Sequence, residues 1–267
     1  MKEKSSNSRE EKLEALGRLL DVLERLRVEC PWDAKQTNES LRPNTIEEVY
    51  ELSEAIINED YPEIAKELGD VLLHVLFYAK IGEEKGQFDL ADVCNREADK
   101  LIFRHPHIYG DVQVNNAHDV ELNWEQIKLK EKGGNKTVLA GVPKGLPSII
   151  KSYRVQEKVA NVGFDWAEKS DVWDKVYEEL GELRAEIEGN GDLAHKEGEM
   201  GDFLFSLINM GRLYGVDPDT SLERTNQKFI RRFNYIEASA KAEGKSLKEM
   251  TLGEMDALWN EAKRQEI

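Results

Sequence analysis

Two acidic patterns of the same form, one in each half of the chain, restrict its fold more than any other feature. Glu47, Glu48 and Glu51 precede Glu67 and Asp70, and Glu178, Glu179 and Glu182 precede Glu199 and Asp202. Each copy reads E-E-x-x-E, then 15 or 16 intervening residues, then E-x-x-D. Residues three and four apart share one face of a helix, so each acidic group is a single stripe. The midpoint of the second copy falls in Gly189-Asn190-Gly191-Asp192, a strong turn signal, and that of the first falls at Glu59. An antiparallel helix pair folded at each midpoint sets the two stripes level with each other. Anions gathered in this way repel unless a cation joins them, and hard oxygen ligands at this density suit Mg²⁺, with Mn²⁺ as a substitute.

The surroundings of the acids repeat as well. Glu67-Leu68-Gly69-Asp70 parallels Glu199-Met200-Gly201-Asp202. Downstream, Lys100 with Arg104 parallels Lys228 with Arg232, and Trp124 with Lys128 parallels Trp259 with Lys263, each pair four residues apart. Agreement in order and spacing on this scale implies two tandem domains of one ancestry. The Gly- and Pro-rich stretch GGNKTVLAGVPKGLP divides them. It sets an N-terminal domain at 1–132, a linker at 133–147 and a C-terminal domain at 148–267.

Apolar periodicity predicts helices over about 11–27, 45–58, 62–85, 90–104 and 119–132 in the first half. In the second it predicts helices over 148–162, both arms of the acidic hairpin, 222–242 and 252–264. Thr45 with Glu48 has the form of a capping box, and Cys30-Pro31-Trp32-Asp33 opens a loop running to Pro43-Asn44. No stretch alternates convincingly in the β manner, so the fold class is all-α. The apolar runs around Val71–Phe77 and Phe203–Ile208 predict that the acid-bearing helices are largely buried, where carboxylates need cations or protons.

Composition narrows the function. With 37 basic against 53 acidic side chains the formal charge is −16, which argues against a nucleic-acid or anionic-membrane binder. Two cysteines in 267 residues give no disulfide framework, and the first residues have no apolar core of a signal or anchor. A cytoplasmic setting is the simplest expectation. Taken singly, each motif also has a bland reading: E-E-x-x-E as a solvated helix face, the basic pairs as surface charges, the tryptophans as core. A di-iron carboxylate bundle would want Glu-x-x-His on paired helices, and no such motif occurs.

Together with Cys30-Pro31-Trp32-Asp33, Arg104-His105-Pro106-His107, Asn161-Val162-Gly163-Phe164-Asp165-Trp166 and the terminal Lys263-Arg264-Gln265-Glu266-Ile267, the doubled acidic hairpin resembles the MazG family. These proteins are nucleoside triphosphate pyrophosphohydrolases of the all-α NTP pyrophosphatase superfamily. The resemblance covers the chain after residue 10 and is specific to the two-domain form. It implies Mg²⁺-dependent hydrolysis of nucleoside triphosphates to monophosphate and pyrophosphate by a homodimer, with broad base tolerance. It assigns catalysis to the C-terminal copy. There Glu179, Glu182, Glu199 and Asp202 would hold the metal, and Glu178 would be a further ligand or the base that orients water. Lys175, Lys228, Arg232, Trp259 and Lys263 would contact the nucleotide. The N-terminal copy, with Glu47, Glu48, Glu51, Glu67, Asp70, Lys100, Arg104, Trp124 and Lys128, would be structural, regulatory or a second site. The non-enzyme alternative is a nucleotide-sensing helical module that binds metal and nucleotide without turnover.

Overall fold

The computed structural model describes residues 7–113, 127, 137–189 and 191–265. Among these every regular element is a helix, and the all-α expectation holds. Contacts divide the chain into two compact units, residues 1–113 and 114–267. The first contains α1 (Arg9–Glu29), α2 (Asn38–Ile57), α3 (Tyr61–Glu84), α4 (Leu90–Arg104) and the short α5 (Pro106–Tyr109). The second contains α6 (Ser148–Ala160), α7 (Val172–Glu188), α8 (Leu193–Leu213), α9 (Pro218–Ala242) and α10 (Leu252–Arg264). The segment 137–147 is a run of turns, while the helix expected over 119–132, with Trp124 and Lys128, lies outside the described residues but for Ile127.

Helix starts follow local chemistry. Ser8 with Glu11 and Thr251 with Glu254 form reciprocal capping boxes, each satisfying two otherwise unpaired N–H groups. The expected Thr45–Glu48 box does not form. α2 begins seven residues earlier, where Thr37 and Ser40 cap each other, and Pro43 lies inside the helix. Pro43 forfeits only the bond to the carbonyl of Glu39, an exposed residue that water can serve. Thr45 instead points inward: its hydroxyl donates to the Leu41 carbonyl or meets His74 Nδ1 at 2.8 Å and the Tyr78 hydroxyl at 2.6 Å. α9 likewise starts at Pro218 rather than near 222, because Asp217 caps it and proline suits a first helical position.

In the first unit α3 packs on α1, α2 and α4. Its core is Leu23, Leu41, Leu76, Phe77 and Ile81, with Leu19, Leu20 and Leu73 against them. In the second, α8 packs on α6, α7 and α9, and α10 on α9. Val172, Val176, Leu183, Ile208, Ile236 and Ala262 are buried there. The expectation of largely buried acid-bearing helices needs correction: Leu72, Val75, Leu204 and Phe205 are exposed. Each hairpin buries one apolar face within its own unit and leaves a second apolar face bare.

Candidate metal and nucleotide site

Asp192 starts α8 by accepting from the His195 amide, so the hairpin turns where the acids require. This brings Glu179 of α7 together with Glu199 and Asp202 of α8. One carboxylate oxygen from each lies within 4.8 Å of the others. In the first unit α2 and α3 do the same with Glu48, Glu67 and Asp70. Of the five acids in each stripe pair, three therefore converge. Glu178 and Glu182, like Glu47 and Glu51, stand exposed beside the triads.

The triads carry the marks of uncompensated charge. The Glu199 carboxyl is pushed above its ordinary range by burial and by the charges of Glu182, Asp202 and Glu179. Glu48 is raised by burial and by Asp70, Glu51 and Glu67. Glu67 is 1% exposed and its Oε2 has no hydrogen-bond partner. Crowded carboxylates whose charged forms disfavour one another, and an orphaned buried oxygen on Glu67 among them, fit a divalent cation. Each triad could hold a metal ion.

The two copies differ in how a lysine enters. In the second unit Lys175 Nζ lies 2.6 Å from Glu179 and 3.1 Å from Glu178, all three on α7. In the first unit Lys66, on α3, lies 2.6 Å from both Glu67 and Glu63. With Glu48 set against Glu179, Lys175 faces Asn44 in register, and with Glu67 set against Glu199, Lys66 faces Gly198. The cation has changed arms between the copies.

What surrounds the triads differs more. In the second unit a cavity of about 680 Å³ reaches Glu179 and Asp202. Lys175 lines it too, together with Val155, Gln156, Val159, Phe164, Asp165, Trp166, Phe205, Ser206, Asn209 and Arg212. Gly163, at φ +90°, lets the loop after α6 turn its aromatic residues toward this cavity, a backbone angle that suits glycine alone. Arg212 grips that loop through Asp165 and also donates to Asn209 Oδ1. In the first unit the cavity reaching the acids is about 350 Å³ and is lined by Glu51, Glu54, Ala55, Asn58, Asp60, Glu63 and Glu67. In the register of the acids, His74 and Phe77 stand where Ser206 and Asn209 line the larger cavity. Both are buried. The first copy has filled the space that the second keeps open.

Lys228, Arg232, Trp259 and Lys263 are not among the residues lining the large cavity. They gather on α9 and α10, where the Arg232 guanidinium lies 5.5 Å from the Trp259 ring centre and Trp259 packs on Phe229. Lys100 of the first copy pairs with Glu97 on its own helix, and Arg104 closes α4. Gln156, Asn209 and Arg212 were not singled out by the sequence. The signal available is the replacement of the bulky His74 and Phe77 by the smaller, polar Ser206 and Asn209 once the copies are aligned.

Paired helical hairpins with a carboxylate triad in each, one opening onto a lysine-bearing cavity, define an all-α protein with two acidic clusters that could hold a cation. A family model for the MazG nucleotide pyrophosphohydrolase domain matches residues 36–109. The chain is 40% identical over 258 residues to a nucleoside triphosphate pyrophosphohydrolase of Escherichia coli, covering 94% of this chain and 98% of that protein. A nucleoside triphosphate pyrophosphohydrolase/pyrophosphatase of Thermotoga maritima is 40% identical, over 92% of this chain and 94% of its own length. An uncharacterized Bacillus subtilis protein, YabN, is 46% identical over 89% of this chain but only 49% of its own. The chain belongs to the MazG family.

Proposed function

We propose that the protein hydrolyses nucleoside triphosphates to nucleoside monophosphate and pyrophosphate, with broad base tolerance and with Mg²⁺ as cofactor, in the control of a cytoplasmic nucleotide pool. The observation that carries this reading is the cavity of the second unit, which joins two triad acids and Lys175 to an apolar, aromatic-walled space. The names of the relatives agree with it. Among the described residues no helix is long and apolar enough to cross a membrane.

In this reading Glu179, Glu199 and Asp202 hold the cation and the neighbouring Glu182 supports it. A divalent cation bound there supplies charge neutralisation at the phosphates and makes water more acidic. The residues of the chain do the rest. Lys175, whose ammonium pairs with Glu179, would turn to the triphosphate. Glu178, exposed next to it, accepts the proton of the attacking water. Phosphoryl chemistry asks for this positioning and charge stabilisation more than for a covalent nucleophile. Lys228, Arg232, Trp259 and Lys263, which lie outside the lining of this cavity on α9 and α10, would add cations and an aromatic platform for the nucleotide from there.

The same reading makes the N-terminal copy structural or regulatory, since its acid-lined cavity repels a triphosphate. It keeps residues 1–132 and 148–267 as the two domains, with 133–147 between them. It also makes the protein a homodimer. Ile46, Val49, Tyr50, Leu68, Leu72 and Val75 on α2–α3, and Tyr177, Leu180, Met200 and Leu204 on α7–α8, are exposed apolar side chains in the manner of an unfilled interface. The test is product identification after incubation with Mg²⁺ and mixed triphosphates. Monophosphate and pyrophosphate support the enzyme. Binding without turnover would leave a nucleotide-sensing module in its place.

A further inference from the structure

Along α8 the cavity of the second unit runs from the acids to a fixed amide. Asp202 and Asn209 both line it, and seven residues of helix bring them to one face, about 10.5 Å apart along the axis. Other donors that α6 and α8 place here are engaged within the protein. Gln156 Nε2 donates to the Phe205 carbonyl at 2.8 Å, the Ser206 hydroxyl to the Phe203 carbonyl at 2.8 Å, and Arg212 to Asp165 and Asn209. Asn209 is different. Its Oδ1 accepts from Arg212 Nε at 3.0 Å and Nη2 at 2.9 Å. A guanidinium has donors only, so these bonds fix which end of the amide is the oxygen. The other end, Nδ2, has no hydrogen-bond partner among the described residues and keeps accessible surface.

We infer that Asn209 Nδ2 donates to an oxo group at the tip of the base and so tilts the enzyme toward 6-oxopurine and 4-oxopyrimidine nucleotides over their amino counterparts. The inference rests on the proposed triphosphate substrate and adds the residue that sets its base preference. With the α-phosphate beside Glu179 and Asp202, the sugar takes the middle of the cavity. The far tip of the base then comes level with Asn209, two helical turns along α8. That tip is position 6 of a purine or position 4 of a pyrimidine.

A locked amide has a distinctive selectivity. The tip is an oxygen, an acceptor, in guanine, hypoxanthine, uracil and thymine, and an amine, a donor, in adenine and cytosine. Nδ2 pairs with the first group and meets the second donor to donor. A free asparagine would turn over and offer its oxygen to the amine, but here Arg212 holds that oxygen. The preference stays modest because Asn209 is half-buried, and water can serve the mismatched groups. It therefore lies within a broad tolerance, with every common base still a substrate.

The experiment compares ITP with ATP, and UTP with CTP, by kcat/KM in the full-length protein with Mg²⁺. Each pair shares its sugar and phosphates and differs at the tip of the base. Wild type is expected to favour the oxo member of each pair about five- to tenfold, the scale of one mismatched hydrogen bond. Asn209→Asp keeps an acceptor for Arg212 and sets a second acceptor where Nδ2 was, so both preferences are expected to reverse. Asn209→Ala is expected to bring both ratios to about 1, whatever the absolute rates, and serves should the first variant fold poorly. Equal use of the paired nucleotides by wild type, or unchanged ratios in the variants, overturns the inference while leaving the hydrolase reading intact. A loss in the variants that is the same for oxo and amino nucleotides assigns the amide to the sugar or the phosphates and also overturns it. If no triphosphate is turned over, the hydrolase reading fails first. Asn209 is then judged by equilibrium binding of the same four nucleotides, where equal affinities within each pair or no binding overturns its role.

Discussion

Arg212 and Asp165 form a two-point ion pair, Nη1 to Oδ2 at 3.0 Å and Nη2 to Oδ1 at 2.6 Å, joining the middle of the second unit to the loop that carries Phe164 and Trp166. Arg212 is anchored from below by Asn209, so the pair is a fixed post and not a wandering surface contact. Two-point guanidinium–carboxylate pairs fix direction as well as distance.

Releasing this post should loosen the aromatic wall without touching the acids. Arg212→Ala is expected to raise KM for nucleoside triphosphates about 3- to 10-fold with a smaller effect on kcat. Asp165→Ala should do the same, and the double variant should be little worse than either single one. Steady-state kinetics on the four proteins checks this, and additive losses would show that the two residues act separately.

In the proposed site Lys175, 2.6 Å from Glu179, would compete with a cation for that carboxylate. In Lys175→Ala, Mn²⁺ should bind the second unit more tightly in the absence of nucleotide, while KM for the triphosphate rises about tenfold. Calorimetric titration with Mn²⁺ and initial rates give the two halves of the answer. Weaker Mn²⁺ binding in the variant would contradict the competition.

Glu179→Ala should lower pyrophosphate release by at least about 100-fold, since it removes a buried member of the triad. Glu48→Ala, the matching change in the first unit, should leave most of it. A pyrophosphate-specific assay on both variants decides which copy works. Comparable losses in the two would assign catalysis to both.

The raised Glu199 carboxyl gives a pH signature. Its folded pKa lies above its ordinary value, so between those values the folded protein holds a proton that the unfolded chain has released. That contribution to stability falls as pH rises through the window and is constant above it. Without metal, Glu199→Gln should therefore unfold at a higher temperature than wild type near pH 7.5. The advantage should shrink toward the ordinary glutamate value of 4.5. Saturating Mn²⁺ should reverse the order at pH 7.5, because wild type then gains a ligand that the variant lacks. Thermal unfolding of both proteins, with and without the ion, tests each sign.

Much of the fold is legible in the chain because helices announce themselves by local rules. The acid spacing implies both hairpins, and α4 and α10 have the bounds that apolar periodicity predicts. The start of α2 is not legible in this way. Pro31 and Pro43 read as loop punctuation, and nothing short of the folded chain shows that Thr37 and Ser40 cap a helix able to absorb Pro43. The triads are legible and the cavity is not. Gln156, Asn209 and Arg212 are ordinary residues for a solvated helix, and their roles depend on contacts between α6, α8 and the loop after α6, far apart in sequence. The bare faces of Leu72 and Leu204 mislead for a related reason: periodicity shows that a face is apolar, not where its cover comes from.

The exchange of Lys66 and Lys175 between the arms of the two hairpins has a practical meaning. Each molecule contains its own matched control, with the same three acids in the same register beneath different neighbours. A graft makes use of it. Replacing His74 and Phe77 by serine and asparagine, and moving the lysine from position 66 to position 44, would rewrite the first unit in the grammar of the second. The response of such a chimera would show how few side chains separate a scaffold from an active site.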